Sequence, residues 1–148
     1  MTAEDKEGHI SAGTVNWVTQ TPFKPPLVAV GGKADSQIHD ITKIAGSFAL
    51  NVLGKGQQNA AYPFFKPAEV DGQTISEKAF HSGSTNAPIL DNTPAFIECK
   101  LVTTVEEGDH SIFVGEVVEA GVTLELEGRA NDATQLLKDL GEKSFYGR

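Results

Sequence analysis

The chain has 148 residues, 39% of them hydrophobic and 22% charged, which suits a single globular domain with a core of its own and excludes a disordered chain. A formal net charge of −8 opposes polyphosphate backbones and argues against nucleic-acid binding. The lone cysteine, Cys99, rules out an intrachain disulfide, no apolar run reaches membrane-spanning length, and the acidic N-terminus does not read as a signal peptide, so a cytoplasmic protein is expected.

Met1 to Gly13 is charged and glycine-bearing and reads as a loop feeding the first strand. From Gly13 to Gln20 the residues alternate, with Val15 and Trp17 on one face and Asn16, Val18 and Gln20 on the other, the period of a strand. Pro22, Pro25 and Pro26 interrupt the ladder, because proline lacks an amide donor. Leu27 to Val30 then reads as a short buried strand that stops at Gly31-Gly32-Lys33. A helix opens near Asp35 or Ser36 and runs to Gly46, with Ile38, Ile41, Ile44 and Ala45 as its apolar stripe and His39 on its polar side. Strand, glycine pair, lysine and helix start together read in two ways. One is an ordinary capped turn, the default on spacing alone. The other is an anion cradle, in which glycines admit close approach, first-turn amides point at the ligand, and Lys33 and Ser36 add a charge and a hydroxyl. The pattern is neither a P-loop nor a dinucleotide fingerprint.

Phe48 to Leu53 alternates as a strand. Gln57 to Phe65 suits a short helix ended or kinked by Pro63, with Phe64-Phe65 as a core anchor. Lys66 to Pro88 is rich in turn formers and reads mostly as loop, with one short strand near Thr74-Ile75. Ala95 to Val105 and Ser111 to Val118, joined by Glu106-Glu107-Gly108-Asp109, form the best-defined hairpin, with Ile97, Cys99, Leu101 and Val105 on one face. Cys99 there reads as a small buried hydrophobe. A short strand at Thr123 to Leu126 and a helix from about Asp132 to Leu140, burying Ala133, Leu136, Leu137 and Leu140, close the chain. Several strands with two peripheral helices suggest a small barrel. The four histidines match no zinc spacing and no nucleophile elbow is present, so neither a metal site nor hydrolysis is expected. His110 begins a strand after a Gly-Asp turn and by itself reads as a locally bonded turn histidine.

The run Thr14-Val15-Asn16-Trp17-Val18-Thr19-Gln20, then Phe23 and Pro25 to Val30, resembles the signature of the flavin reductase-like, FMN-binding split-barrel family. Ser47 to Leu53, Gln57 to Phe65, Ala95 to Cys99, Gly108-Asp109-His110 and Gly115-Glu116-Val117 keep the family's order, so the resemblance covers Gly13 to about Val122. It implies a mainly β split barrel with peripheral helices, one domain over residues 1–148, and a homodimer with the flavin pocket at the subunit boundary. It places Thr14, Val15, Asn16, Trp17, Val18, Thr19 and Gln20 along the isoalloxazine and ribityl chain of FMN. Lys33 and Ser36 would take the phosphate, and His110 would lie where NADH or NADPH approaches. Trp17 is either a ring-side residue or a core tryptophan.

Two departures stand out. Relatives often carry a second hydroxyl at the position of Ile38, and they carry a strand upstream of which Thr2 to Gly8 matches only the tail. Either the true start lies upstream of Met1 or the barrel closes differently. The implied activity is an NAD(P)H-dependent flavin reductase passing electrons to an acceptor such as a partner oxygenase. The alternative is a non-catalytic FMN-binding redox carrier reduced by another enzyme.

Overall fold

The structure is a computed structural model that describes residues 1–142 and 144; residues 143 and 145–148, at the end of the expected single domain, lie outside that description. The chain opens not as a loop but as a hairpin of β1 (Thr2–Glu4) and β2 (Ile10–Ala12), paired antiparallel with Thr2 opposite Ala12. Its turn is closed by Asp5, whose Oδ1 accepts the amides of Glu7 and His9 at 2.9 Å each, and Gly8 adopts the positive φ the turn requires. Charged residues hid this hairpin from the hydrophobic pattern. The next strand is also displaced: residues 13–17 lie outside any ladder, and β3 is Val18–Phe23, reaching past Pro22 by an irregularity in its register.

The strand after it, β4 (Pro26–Lys33), does not stop at the glycine pair but runs through it. Gly31 and Gly32 are paired with Ile112 and Ser111 of a neighbouring strand. A Cβ on Gly32 would come within 2.9 Å of Phe113 Cε2, so this glycine serves close packing, not a turn. Helix α1 (Gln37–Ala45) follows, N-capped by Ser36 and ended by Gly46 in the left-handed region at φ 69°. Its buried face is Ile38, His39, Ile41 and Thr42, whereas Ile44 is 64% exposed. His39 therefore is not a surface residue: its Nε2 lies 3.0 Å from Ser111 Oγ, and that bond satisfies the ring in the interior.

Then come β5 (Ser47–Val52), the single turn α2 (Gln58–Ala61) and a 3₁₀ turn at Tyr62–Phe65. The stretch expected mostly as loop holds β6 (Val70–Asp71), the expected short strand as β7 (Thr74–Ile75), and β8 (Lys78–Ser82), and leads into β9 (Pro88–Leu90), the four paired in chain order. Ile75, Phe80 and Leu90 from them pack with Phe64 in a secondary core. The long hairpin is β10 (Ala95–Val105) and β11 (His110–Val122), extending four residues beyond the expected Val118. Beyond it no strand forms at residues 123–126, and the expected helix is reduced to α3 (Ala130–Ala133) and a 3₁₀ turn at Leu137–Leu140. Between them the backbone bonds to the 53–55 turn instead: Lys55 N–H donates to Ala133 O and Gln135 N–H to Leu53 O, both at 2.8 Å. Those partners replace intrahelical ones, and of the four expected buried residues Leu140 alone is fully buried.

Among the described residues, seven strands form one antiparallel sheet in the order β2-β1-β5-β10-β11-β4-β3, so the fold is mainly β with few helices. Its core joins Val28, Val30, Phe48, Leu50, Cys99 and Phe113 to Ile38 and Ile41 of α1. Gly115 makes the tight centre possible, since a Cβ there would stand 2.6 Å from Phe48 Cζ. Glu98, on the face of β10 opposite Cys99, is also buried; its carboxylate accepts the amides of Ser84 and Thr85 at 3.0 and 2.9 Å and the Thr85 hydroxyl at 2.7 Å, tying the 83–87 loop to the sheet. No helix among the described residues is long and apolar enough to cross a membrane.

Candidate functional site

Two adjoining cavities meet along residues 12–16, the segment between β2 and β3 that leaves the ladder. That segment is pinned from both sides. Gly13 abuts Ile38 of α1, while Thr14 donates its amide to Phe64 O at 3.2 Å and its hydroxyl to Ala61 O at 2.9 Å. Held this way, residues 13–16 line both cavities.

The larger cavity, about 830 Å³, runs from this segment to the start of α1 and the β4–β11 ends. Lys33, Ser36, Gln37, Asp109 and His110 line it. Ser36 Oγ donates to Lys33 O at 2.6 Å and accepts the amide of His39 at 3.3 Å, so the hydroxyl is engaged as a cap. The amides of Gln37 and Ile38, which have no intrahelical acceptor, remain as the donors of the first turn. Lys33 pairs with Asp35 at 3.0 Å, and both side chains are largely exposed. Across the ladder from Lys33 stands His110, its Nδ1 3.0 Å from Asp109 Oδ1. The hydrogen bond and charge of that imidazole hold the Asp109 carboxyl below the usual carboxylate range.

The smaller cavity, about 410 Å³, is the apolar end, with Val18, Leu50, Val52, Leu53 and Ile97 on its walls. Its main polar residues are already occupied: Asn51 accepts the Leu90 amide at 2.8 Å and donates to Thr2 Oγ1 at 3.0 Å. Leu137, on the 3₁₀ turn held by the Tyr62 hydroxyl bond to Leu140 O, lines both cavities. The pair of cavities thus offers an apolar slot, a strip of backbone, and a helix N-terminus with a lysine beside it. A flat apolar ring with a polyol chain and a terminal phosphate matches those features in kind, and the cavity volumes lie in the range of small-molecule sites.

Of the residues expected at the site, Thr14, Val15, Asn16, Lys33, Ser36 and His110 line the larger cavity and Val18 the smaller. Trp17, Thr19 and Gln20 line neither: Trp17 directly precedes the edge strand β3, Thr19 and Gln20 lie on it, and all three are exposed. Trp17 is not a core residue; its ring instead rests 5.0 Å from that of His110. Sequence reasoning missed the wall supplied by Leu50 to Leu53 and read Phe64-Phe65 as a core anchor, whereas Phe65 with Lys66 and Pro67 lines the larger cavity. The Phe64-Phe65 doublet was the available signal, since only Phe64 is buried and Phe65 is left exposed at the cavity. No group of three or more His, Cys, Asp or Glu residues among those described is arranged to hold a metal ion.

Comparison with known proteins places the chain among flavin reductase-like sequences and folds. A Streptomyces globisporus NADH-dependent FAD reductase is 34% identical over 110 residues, covering 72% of this chain and 60% of that protein. The structure of the styrene monooxygenase flavin reductase from Pseudomonas putida S12 superposes with a TM-score of 0.70 at 30% identity, covering 82% of this chain and 78% of that one. A Rhizobium meliloti (strain 1021) relative, 31% identical over 117 residues, covers 79% of this chain, which spans only 37% of that protein's length. The model of the flavin reductase like domain matches residues 1–137. The chain belongs to the flavin reductase-like domain family.

Proposed function

We propose that this chain is an NAD(P)H-dependent flavin reductase that binds FMN in a split β-barrel and works as a cytoplasmic homodimer, passing electrons to an acceptor such as a partner oxygenase. The observation that carries the reading is the amphiphilic site: an apolar slot at one end, and Lys33 with the N-terminus of α1 at the other. The names of the relatives support the activity and the nicotinamide donor, and one of them is named for FAD. Exposed apolar side chains on β3, β10 and β11, among them Val18, Val102, Ile112 and Val122, support a second copy packed against these strands.

When bound, the flavin supplies the hydride acceptor, since this chemistry belongs to the cofactor and not to a side chain. The protein's part is placement. The apolar walls of the smaller cavity exclude water from the ring, and the 13–16 backbone with Asn16 lies along the polyol. Lys33 and the amides of Gln37 and Ile38 hold the phosphate, with the Ser36 hydroxyl keeping that helix turn in shape. His110 lines the larger cavity across the ladder from Lys33, along which the nicotinamide nucleotide would reach the flavin ring, and its Nδ1 lies 3.0 Å from Asp109 Oδ1. Hydride transfer itself requires the two rings in close, aligned contact and no protein acid or base.

Anaerobic rapid mixing of FMN-loaded protein with NADH and with NADPH tests the reading. Bleaching of the flavin absorbance within seconds is expected. Bound flavin unaffected over minutes would favour a redox carrier reduced by another enzyme, and protein without affinity for FMN would refute both.

A further inference from the structure

Trp17 is the chain's single tryptophan, it is 49% exposed, and it lines neither cavity, yet its position is built. Its carbonyl accepts the Gly31 amide at 2.8 Å, and a Cβ on Gly31 would lie 3.1 Å from Trp17 Cβ and Cε3. The side chain therefore rests on bare strand backbone, in a notch that any other residue would fill. Gly31 and Lys33 are two apart on β4, as are their partners Ile112 and His110 on β11, so the notch faces the same way as the lysine and the imidazole. From it the indole reaches His110, with ring centroids 5.0 Å apart and planes at 50°, the tilted geometry of a favourable aromatic pair. Asp109 holds the Nδ1 edge of the same imidazole at 3.0 Å.

We propose that Trp17 is a positioning residue: by its ring contact it sets the orientation of His110 at the cavity wall, so that use of the nicotinamide depends on Trp17 while flavin affinity does not. The inference rests on the reductase reading given above and assigns the tryptophan a role outside the flavin pocket itself.

Trp17→Leu, Trp17→Phe and Gly31→Ala test it. In Trp17→Leu, kcat/KM for NADH should fall about fivefold, the size of one lost ring contact, with the Kd for FMN within about twofold of wild type. Trp17→Phe, which keeps a ring, should recover most of the loss. Gly31→Ala keeps the indole but displaces it, and should lower kcat/KM for NADH in the same direction; it stands in for Trp17→Leu if that variant does not fold. A readout without flavin comes from the indole emission. In cofactor-free protein His110→Asn should change that emission, because it removes the ring on which the indole rests. A Trp17→Leu protein that loses thermal stability but keeps its kcat/KM for NADH would overturn the inference, as would an indole emission left unchanged by His110→Asn. Wild-type protein that binds no FMN or oxidises no NADH would instead overturn the reductase reading, and this inference with it.

Discussion

Replacing Lys33 by alanine should separate FMN from riboflavin, ligands that differ only in the phosphate. The Lys33 side chain is 61% exposed and its Nζ lies 3.0 Å from Asp35 Oδ1. An exposed pair of this kind is worth at most about 1 kcal/mol, so the ammonium can turn to a bound phosphate at small cost. Two unit charges 4 Å apart gain about 1 kcal/mol at the dielectric of water and about 4 kcal/mol at an effective value of 20. The exposure of Lys33 places it nearer the first limit, and the phosphate carries close to two charges, so a loss of about 1.5–2 kcal/mol follows. That corresponds to FMN affinity falling roughly 10- to 30-fold, with riboflavin changed by less than about twofold. Asp35→Asn removes the competing carboxylate and should tighten FMN about threefold. Added salt should narrow the gap between the two ligands, because the site is open to screening. Ser36→Ala acts differently, since that hydroxyl is engaged as the helix cap: it should lower stability by about 1 kcal/mol as well as weaken FMN. Titration of flavin fluorescence at two ionic strengths measures the affinities, and urea unfolding the stability of Ser36→Ala. Equal losses for FMN and riboflavin in Lys33→Ala would refute the assignment of the phosphate to this end of the cavity.

Glu98→Ala should destabilise the fold by about 2–4 kcal/mol in urea unfolding, because the amides of Ser84 and Thr85 lose their acceptor inside the protein, while Glu98→Gln should cost less. Cys99, whose thiol is pushed up to about 12 by burial and by the charge of Glu98, should resist thiol reagents in the native state and react once the protein is unfolded. The turn after β1 should respond to pH through Asp5 and His9. Burial opposes the ionised form of Asp5, but the amide and imidazole of His9 and the amide of Glu7 outweigh it and lower its pKa, whereas Asp5 raises that of His9. Stability from Asp5 is present above about pH 4 and lost as pH falls through its depressed folded value; that from His9 is present below about pH 6.5 and lost as pH rises through its elevated one. The melting temperature should therefore drop more between pH 6 and pH 8.5 in wild type than in His9→Asn, and equal drops would count against the pair.

Local order was readable because short-range chemistry creates it. Alternation over Ala95 to Val105 and over the returning strand sufficed for the central hairpin, and a serine before an isoleucine-bearing run, with glycine after it, sufficed for α1 and its caps. The family signature likewise pointed to a flavin and to Lys33, Ser36 and His110 as neighbours, which the larger cavity brings together. What periodicity could not supply were the outcomes that depend on partners distant in the chain. A glycine pair that looks like a strand end becomes a seat for Trp17 and Phe113 once β11 lies beside it. His39 goes inside and Ile44 outside because Ser111 offers the imidazole a hydrogen bond and no wall covers the isoleucine. The C-terminal leucines leave their helix because the 53–55 turn captures the backbone between them. In each case the free energy of a long-range contact exceeded the few tenths of a kcal/mol that separate one local conformation from another, and those contacts exist only after the sheet has formed.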